Sequence, residues 1–330
     1  MTNNVRIQPS GIEYSVSNDN TLLGAAISSG IHLEHSCLSG NCGVCKAKLL
    51  QGEVADVEQG QSILTEEEIR QGYILTCQAK PITDVEIEAN YFPQLDGIKA
   101  SIHPCKVNSV SFPCDDIAVL KLRLPPSVSF KYLPGQYIQL IIQGERRSYS
   151  IANSMVATDG IELHVRFVEG GRFSQKIFHE IKEEQLLRLE GPYGSFFVRE
   201  SSYPVIFLAG GTGFAPVKAM VEDLLLRKCD REIYIYWGLK RLDQLYSKLP
   251  QDWFASSKIK SFVPVFSDEK NCNERVGNVH TAVLEDFQDL SGFEVYACGS
   301  PAMIEVAKRD FIEKGLSESG FYADAFLASN

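Results

Sequence analysis

The 330-residue chain has no run approaching the roughly 18 consecutive apolar residues that a membrane-spanning helix needs. Its first residues, 1–7, are polar and lack the apolar core of a secretory signal, so we expect a cytoplasmic protein. Basic residues are in deficit: 32 Lys and Arg stand against 42 Asp and Glu, for a net charge of −10. Non-specific nucleic-acid binding depends on a basic surface. We therefore expect neither a nucleic acid nor a membrane as a partner.

The negative charge is distributed unevenly along the chain. Residues 1–100 carry 6 basic and 13 acidic residues, whereas residues 101–330 carry 26 and 29. An acidic N-terminal region can be steered electrostatically towards a basic patch on a partner protein. Simple solubility is the alternative reason for this charge.

Nine cysteines are present, and four of them follow a recognisable spacing. Cys37, Cys42 and Cys45 form a C-x₄-C-x₂-C run, which is typical of plant-type ferredoxins, and Cys77 supplies a distant fourth thiolate. Two irons bridged by sulfide need four thiolates, and one short loop brings three of them to one point. The spacing therefore predicts a [2Fe–2S] cluster with these four cysteines as its metal ligands.

A zinc site, a Rieske centre and a set of buried structural thiols are the alternatives for these cysteines. Zinc loops usually pair their ligands twice over or mix cysteine with histidine. A Rieske centre replaces two cysteines with histidines, and although His35 lies near Cys37, no second Cys-His pair exists. Gly40 and Gly43 favour the [2Fe–2S] cluster, because they permit the backbone to approach the sulfurs closely.

Three patterns of hydrophobic periodicity divide the chain. Residues 1–92 predict a small α+β domain. Its first helix is expected to have Asp19 or Asn20 as its N-cap, and a capping box of Thr65 and Glu68 is expected to open a second, short helix. Residues 93–104 have no clear period and predict a linker. Residues 105–200 are rich in short strands, which favour an antiparallel β-barrel. Residues 201–330 alternate strand and helix, which is typical of an α/β domain with a parallel sheet.

A second candidate site lies on a predicted barrel strand, where Arg147, Tyr149 and Ser150 form an Arg-x-Tyr-Ser string. Strand alternation puts Arg147 and Tyr149 on one face. A cation suits a phosphate, a flat ring suits an isoalloxazine, and a hydroxyl suits flavin N5. An exposed base beside a core tyrosine is the simpler alternative. Downstream, the string Gly170–Ser174 precedes a helix, whose free N–H groups and positive dipole end suit a pyrophosphate.

A third candidate site is the string Leu208–Pro216, where a strand ends in a glycine turn and a helix is expected to begin near Pro216. Its glycines let the backbone approach a phosphate. The string departs from the Rossmann G-x-G-x-x-G fingerprint, and the second strand ends in Trp237–Gly238 rather than in an acidic residue that would hold a ribose. Cys298 ends the fourth strand and is expected to face the same site, with a buried structural thiol as the alternative.

With these three sites in order, the chain resembles the ferredoxin–NADP reductase superfamily fused to an N-terminal plant-type ferredoxin domain. The resemblance implies a multidomain fold: a β-grasp-like α+β ferredoxin domain, an antiparallel β-barrel flavin domain and an α/β parallel-sheet nicotinamide domain. It also implies an NAD(P)H-dependent oxidoreductase with FAD, a [2Fe–2S] cluster and NADH as cofactors. NADPH is the alternative, because Lys240 and Arg241 follow the second strand and are placed to meet a 2′-phosphate.

The resemblance implies roles for individual flavin-site residues. Arg147 would hold a flavin phosphate, Tyr149 would pack on the isoalloxazine, and Ser150 would hydrogen-bond near N5. Gly171 and Ser174 would contact the pyrophosphate.

The same resemblance implies a nicotinamide site and a catalytic set. The dinucleotide would be bound by Gly210, Gly211, Thr212, Gly213, Pro216, Cys298 and Gly299. Phe326 matches the family aromatic that covers the flavin, although four residues follow it here. Ser150, Cys298 and Phe326 are accordingly the expected catalytic residues.

Within the superfamily the chain is most similar to the CDP-6-deoxy-Δ3,4-glucoseen reductases, through Tyr149–Asn153, Glu162–Arg166, Glu190–Gly194, Phe207–Lys218 and Val295–Ser300. Members of that family serve 3,6-dideoxyhexose synthesis for lipopolysaccharide O antigens. They pass electrons to a pyridoxamine-phosphate (PMP)-dependent dehydrase that removes the sugar C3 hydroxyl. The similarity implies electron flow from NADH to FAD, to the cluster and then to such a dehydrase.

Two other functions remain open on the sequence. The chain is also compatible with the reductase component of a multicomponent mono- or dioxygenase, which has the same internal chemistry and a different acceptor. A redox-sensing regulatory protein is the alternative of another class.

Overall fold

A computed structural model describes residues 2–55, 63–156, 160–269 and 274–326. The chain divides into two compact units. The first comprises the residues up to Ser101 together with the segment Pro192–Ser195, and the second comprises Ile102–Gly191 and Phe196–Phe326. The first unit therefore includes four residues from much later in the chain.

The first unit is built on a five-stranded mixed sheet. Its elements are β1 Thr2–Gln8, β2 Ile12–Ser17, α1 Leu22–Ser28, β3 Lys46–Gln51, β4 Val54–Ala55, α2 Glu66–Arg70, β5 Tyr73–Leu75, β6 Lys80–Pro81 and β7 Val85–Glu88. The strand order is β2-β1-β7-β3-β5, in which β1 and β7 are parallel and the other pairs are antiparallel. Apolar residues of the sheet and of α1 form one buried core, which includes Cys45 and Cys77.

The two helix starts of this unit differ in how well the sequence predicts them. The N-cap of α1 is Thr21, whose hydroxyl accepts a hydrogen bond from Gly24 N at 3.1 Å, so the prediction of Asp19 or Asn20 is wrong. Thr21, one residue after Asn20, makes the hydrogen bond that an N-cap side chain is expected to make. The sequence alone did not distinguish among these neighbouring polar residues. The predicted capping box of Thr65 and Glu68 is confirmed.

The first part of the second unit is a six-stranded sheet with one helix, in which the strand pairs with a described register are antiparallel. Its elements are β8 Ser101–Cys114, β9 Ile117–Arg123, β10 Tyr137–Ile142, β11 Glu145–Ser150, β12 Ile161–Arg166, α3 Arg172–His179 and β13 Leu186–Tyr193. The strand order is β11-β10-β13-β8-β9-β12, and a bridge between Ile151 and Leu163 links the two ends of that order. Strand β8 begins at Ser101, within the range 93–104 expected to be a linker, where Pro93–Leu95 also forms a 3-10 turn.

The second part of this unit is a six-stranded parallel sheet with helices. Its elements are β14 Val205–Gly210, α4 Phe214–Leu226, β15 Ile233–Leu239, α5 Leu249–Ala255, β16 Ser261–Phe266, β17 Arg275–Val276, α6 Val279–Asp286, β18 Glu294–Gly299, α7 Pro301–Glu313 and β19 Phe321–Ala325. The order is β17-β16-β15-β14-β18-β19, so the direction of winding reverses beside β14. Ligands of such sheets bind at the carboxyl ends of strands at this reversal.

Two helices of the parallel-sheet region differ from expectation. Helix α4 begins at Phe214 after a 3-10 turn over Gly211–Gly213, so Pro216 is its third residue rather than its first. Helix α5 was not predicted, because Pro250 and a short length hid its pattern. No helix among the described residues is long and apolar enough to cross a membrane.

Candidate functional site

The four predicted cluster ligands lie together in the first unit as two pairs. Cys45 Sγ and Cys77 Sγ are 3.2 Å apart, and Cys37 shares a hydrogen bond with Cys42. Among the described residues no set of three or more His, Cys, Asp or Glu side chains surrounds a single metal position. A mononuclear zinc site gathers its ligands around one ion, whereas a binuclear cluster takes two thiolates on each iron. Two separate pairs fit the binuclear cluster.

The loop that carries Cys37 surrounds its sulfur with hydrogen-bond donors. The hydrogen bond from the Cys42 thiol is the main reason that the pKa of Cys37 falls to about 4, and backbone N–H groups of Ser39 and Asn41 add to it. Ser39 N lies 3.4 Å from Cys37 Sγ. One cysteine of each pair, Cys37 or Cys77, is thus held as thiolate, the form that ligates metal, while the hydrogen bond it accepts raises the pKa of its partner, Cys42 or Cys45.

The glycines of this loop adopt the backbone conformation expected of them. Gly40 and Gly43 have φ angles of 79° and 72°, in the left-handed region that favours glycine. In that conformation the Gly40 N–H donates a hydrogen bond that lowers the pKa of Cys77, after the larger effect of Cys45.

His35 lies two residues before Cys37 and is not free to be a ligand. Its Nδ1 lies 2.8 Å from the Leu33 carbonyl oxygen, to which it donates, and its Nε2 accepts from Gly194 N at 3.0 Å. Burial lowers the pKa of His35 to about 4, so the ring is neutral. The Ser195 hydroxyl accepts from His35 N at 2.9 Å, which ties the segment Pro192–Ser195 to the cysteine loop within the first unit.

The predicted flavin strand alternates as expected. On β11, Arg147 and Tyr149 are half-buried on one face, and Ser150 is buried on the other. The Phe173 ring at the start of α3 lies 6.0 Å from the Tyr149 ring and 6.0 Å from the Arg147 guanidinium. A cation and an aromatic face thus lie beside the N-terminus of a helix.

That helix terminus has its own internal bonds. Gly171 is the N-cap of α3, and no side chain caps the helix. The Ser174 hydroxyl accepts from Val168 N at 3.1 Å and lies 3.0 Å from the Gly171 carbonyl oxygen, to which it donates. Because the hydroxyl is used within the turn, the backbone N–H groups are what this terminus offers to a phosphate.

The predicted nicotinamide loop meets the Cys298–Gly299 peptide at the reversal point of the parallel sheet. Ala209 on β14 pairs with Cys298 on β18. A Cβ added to Gly213 would lie 2.1 Å from the Cys298 carbonyl oxygen, so only glycine fits there. A Cβ added to Gly210 would lie 2.8 Å from Met303 Sδ, the end of a flexible side chain, so that position is less restricted.

A cavity of about 550 Å³ opens beside this loop, a size within the usual range of ligand sites. Its lining includes Gly210, Gly211, Lys240 and Ser300. Of the other predicted residues, Thr212 is half-buried and Pro216 is buried in the first turn of α4. The cavity therefore adjoins part of the predicted dinucleotide set.

Arg166 is a candidate site residue that ends the family-matching string Glu162–Arg166 but had no role predicted from it. It lines the cavity, and its guanidinium would lie 3.0 Å from a Cβ on Gly211. Its buried Nε has no hydrogen-bond partner among the described residues and lies 3.5 Å from Asp116 Oδ2. An unsatisfied cationic donor beside a phosphate-type loop suits an anionic ligand. Arg166 lies on β12, far from the loop in sequence, so no local pattern pointed to it.

Cys298 and Phe326 belong to one buried cluster of the second unit. Cys298 is fully buried, and burial raises its pKa well above the usual value, so the thiol stays protonated. Phe326 packs against the same cluster, and its N–H donates to the Gly299 carbonyl oxygen at 2.8 Å. Two of the three residues expected to be catalytic, Cys298 and Phe326, are therefore adjacent in the fold, beside the glycine loop.

Three families match the chain in the order that the sequence predicted. The 2Fe-2S iron-sulfur cluster binding domain matches residues 5–81, the oxidoreductase FAD-binding domain residues 104–198, and the oxidoreductase NAD-binding domain residues 207–309. These matches define the class: an NAD(P)H-dependent oxidoreductase with iron–sulfur, flavin and nicotinamide domains. The multidomain ferredoxin-reductase architecture is thereby confirmed.

Individual relatives narrow the class. The chain is 51% identical to the CDP-6-deoxy-L-threo-D-glycero-4-hexulose-3-dehydrase reductase of Yersinia pseudotuberculosis, over all of both chains. It is 51% identical to Protein RfbI of Salmonella typhimurium, with 100% and 98% of the two chains covered. The chain belongs to the family of CDP-6-deoxy-L-threo-D-glycero-4-hexulose-3-dehydrase reductases.

More distant relatives share the architecture. Terephthalate 1,2-dioxygenase reductase component 1 of Comamonas is 33% identical, with 100% of this chain and 98% of that one covered. The crystal structure of the Amycolatopsis cytochrome P450 reductase GcoB has a TM-score of 0.83 at 28% identity, with 98% of each chain covered.

Proposed function

We propose that this protein carries electrons from NADH through FAD and a [2Fe–2S] cluster to a PMP-dependent CDP-4-keto-6-deoxyglucose 3-dehydrase. It acts in the cytoplasm, in the synthesis of 3,6-dideoxyhexoses for lipopolysaccharide O antigens. The observation that carries the proposal is the 51% identity over the full length of a reductase named for such a dehydrase. The three domain matches support the order of electron flow.

The proposed division of labour follows the predicted boundaries. Residues 1–92 form the cluster domain, 93–104 the linker, 105–200 the FAD domain, closed as an antiparallel barrel, and 201–330 the NAD(H) domain. Cys37, Cys42, Cys45 and Cys77 hold the cluster as two pairs of thiolates. The pairing of the sulfurs supports this assignment.

The flavin is held by residues of two neighbouring elements. On β11, Arg147 binds a phosphate, Tyr149 packs on the isoalloxazine and Ser150 hydrogen-bonds near N5. Gly171 and Ser174 give backbone N–H groups of α3 to the pyrophosphate. When bound, the flavin accepts a hydride from the nicotinamide and releases single electrons, which is the form that a [2Fe–2S] cluster takes up.

The nicotinamide dinucleotide lies along the glycine loop. Gly210, Gly211, Thr212, Gly213 and Pro216 shape the phosphate site, and Cys298 with Gly299 borders the nicotinamide. Phe326 would cover the flavin, beside Gly299, to which its N–H donates. The cavity beside the loop and the neighbouring Arg166 cation support these positions.

NADH is the preferred reductant because one of the two candidate cations for a 2′-phosphate is already neutralised. Arg241 Nη2 lies 2.9 Å from Asp243 Oδ2, and its Nε lies 3.1 Å from Oδ1. Only Lys240 of the pair lines the cavity. We expect kcat/KM for NADH to exceed that for NADPH, and Asp243→Asn to improve NADPH use while leaving NADH use unchanged. Equal use of both coenzymes by the unaltered protein would contradict this preference.

Reconstitution tests the acceptor. In one assay, purified reductase and NADH are combined with a PMP-dependent 3-dehydrase and the CDP-4-keto-6-deoxyglucose substrate. In the other, reductase and NADH are combined with a terephthalate-type oxygenase component, terephthalate and dioxygen. Deoxygenation of the sugar with the first acceptor alone is expected. Turnover with the oxygenase alone would establish the second candidate function, which the 33% identical relative supports.

A separate assay tests the regulatory alternative. A sensor needs no sustained turnover, so steady NADH oxidation with ferricyanide or cytochrome c excludes a purely sensory role.

A further inference from the structure

A buried polar network joins strand β12 to helix α4 in the second unit. Its centre is the Lys218 ammonium, which is only 7% exposed. Lys218 Nζ lies 2.7 Å from Glu222 Oε1 and 3.2 Å from Glu162 Oε1, and it donates to the Ala152 carbonyl oxygen at 2.9 Å. All three protons of the ammonium therefore have an acceptor.

The network continues from Glu162 through His164 to Tyr246. His164 Nε2 lies 3.0 Å from Glu162 Oε1, and His164 Nδ1 lies 2.9 Å from Tyr246 Oη. Although burial alone would raise it, bonds and charges from His164 and Lys218 lower the pKa of Glu162 to about 2, so the carboxylate is charged. Burial raises the pKa of Tyr246 well above its usual value, so its hydroxyl keeps its proton and donates to His164.

One end of the network fixes the strand that we assign to the flavin. Ala152 follows Ser150 by two residues, and its N–H donates to the Glu162 carbonyl oxygen at 2.8 Å. Its carbonyl oxygen accepts from Lys218. The Ala152 residue is therefore held from both sides, by β12 and by α4.

The other end fixes the loop that we assign to the nicotinamide dinucleotide. Tyr246 packs edge-on against Trp237 with ring centroids 5.0 Å apart, and Trp237 stacks on Phe214 at 4.1 Å. Trp237 Nε1 donates to the Gly211 carbonyl oxygen at 2.9 Å. Lys218 itself lies on α4, the helix that this loop opens.

Buried ion pairs of this kind are a weak source of stability, because desolvation offsets most of their attraction and apolar side chains of similar size often do as well. Their geometry is specific, however, because each removed partner leaves a buried group unsatisfied. Lys218 is therefore better explained by the geometry it imposes than by the stability it adds.

We propose that Lys218, with Glu162, His164 and Tyr246, is a positioning network that sets the distance between the nicotinamide-binding loop and the flavin-binding strand. This inference rests on the proposed assignment of those two segments. Hydride transfer requires the donor carbon of the nicotinamide and the acceptor nitrogen of the flavin within van der Waals reach, and a misplacement of about 1 Å costs roughly a hundredfold in rate. A change in the network would therefore slow hydride transfer without removing either binding site.

The test compares Lys218→Met with Lys260→Met in FAD-loaded protein. Lys260 is a matched control, because it also pairs with a glutamate, Glu232 at 2.9 Å, but on the surface. Stopped-flow flavin bleaching at saturating NADH gives the limiting rate, and NAD⁺ titration gives the affinity. The long-wavelength charge-transfer band, which stacked nicotinamide and flavin rings produce, gives a readout independent of turnover.

For Lys218→Met we expect the limiting rate to fall by about tenfold or more and the charge-transfer band to weaken. NAD⁺ affinity should stay within about threefold, and Lys260→Met should match the unaltered protein. Unchanged rate and band in a folded Lys218→Met protein would overturn the proposal, even if its thermal midpoint fell. If the unaltered protein itself shows no bleaching with NADH, the proposed function fails instead.

Tyr246→Phe keeps the test decisive if Lys218→Met does not fold. It removes one hydroxyl and retains the ring contacts with Trp237. A smaller loss, about threefold to tenfold in limiting rate at unchanged NAD⁺ affinity, is expected. An unchanged limiting rate in this variant would count against the network.

Discussion

At the scale of single residues, the two sulfur pairs of the first unit set the most direct test of its chemistry. Replacing Cys77 by alanine removes one of the two thiolates proposed for one iron, and alanine cannot substitute as a ligand. We expect Cys77→Ala to lose most bound iron and the visible absorption of the cluster, while flavin content is kept. Cys229→Ala is the matched control, since Cys229 is half-buried and belongs to the second unit, whereas the four ligands belong to the first. Retention of the full cluster by Cys77→Ala would contradict the ligand assignment.

Ser150 allows a second test on one strand. Its side chain is buried on the opposite face of β11 from Arg147 and Tyr149, whereas Ser148 is exposed. If the hydroxyl serves flavin N5, Ser150→Ala slows flavin reduction by about tenfold or more and leaves the cluster spectrum intact. Ser148→Ala should have no effect. Unchanged stopped-flow bleaching in Ser150→Ala would refute the role.

Glu162 predicts how the second unit responds to acid. Its pKa is about 2 in the folded protein, below the ordinary 4.5, so the unfolded chain binds more protons between these values. The free energy of unfolding should therefore fall as the pH drops from about 4.5 towards 2, by about 3 kcal/mol for this group. Both tryptophans, Trp237 and Trp253, lie in the second unit, so their fluorescence reports its unfolding in urea.

The variants for this acid response are Glu162→Gln and Glu183→Gln. Glu183 is exposed, and its replacement should leave the pH profile unchanged. Glu162→Gln should lower stability at neutral pH and flatten the acid limb. An acid limb of unchanged slope in Glu162→Gln would show that other groups cause it.

At the scale of elements, the junction of β14, α4 and β18 depends on the absence of one side chain. A Cβ on Gly213 would lie 2.1 Å from the Cys298 carbonyl oxygen, a backbone atom that cannot swing aside. We expect Gly213→Ala to lower the free energy of unfolding of the second unit by roughly 2 to 4 kcal/mol and to weaken NAD⁺ binding. Gly292→Ala is the control, because a Cβ there has no atom within 4 Å. Equal urea midpoints for the two variants would contradict this account of the junction.

Element starts show which local signals a sequence carries. The Thr65 and Glu68 side chains each accept a hydrogen bond from the backbone N–H of the other residue. Because this capping box depends on two residues at a fixed spacing, the sequence alone predicts the start of the helix. Thr21 and its polar neighbours are all suitable N-cap residues by type. The packing of α1, which the sequence does not show, determines which of them is the cap. Pro216 indicated a helix start, but the preceding glycines form a 3-10 turn that moves the start to Phe214. Tight backbone contact, rather than propensity, determined that shift.

At the scale of the whole molecule, charge predicts how the protein meets its acceptor. Residues 1–100 carry 13 acidic and 6 basic residues, most of the net charge of −10. A docking surface of that sign associates faster at low ionic strength, because salt screens the attraction of a basic partner. We expect the second-order rate of acceptor reduction to fall several-fold between about 0.05 and 0.5 M salt. Flavin reduction by NADH should change little over the same range, and a flat response for both would indicate docking without electrostatic steering.

The order of domains and the cofactor classes could be predicted from the sequence because each is marked by a short local motif. Three of the four cluster cysteines, the Arg-x-Tyr-Ser string and the glycine loop each lie within one short segment. Arg166 and Lys218 could not be found in this way. Their roles depend on the contact between strand β12 and helix α4 in the folded chain. Neither the spacing nor the charge of one basic residue predicts that contact.

The hydrogen bonds of His35 have a consequence for the timing of folding. The first unit obtains every strand of its sheet from the first 101 residues, yet the N–H that holds His35 Nε2 belongs to Gly194. The ribosome adds about 5–20 residues per second, so the stretch between Ser101 and Gly194 takes roughly 5 to 20 s to synthesise. Until then the imidazole nitrogen has only water to bond, and the loop that presents Cys37 lacks its final anchor. An excised N-terminal fragment would stay permanently at that stage, as a ferredoxin-like domain whose cluster loop never receives its last support.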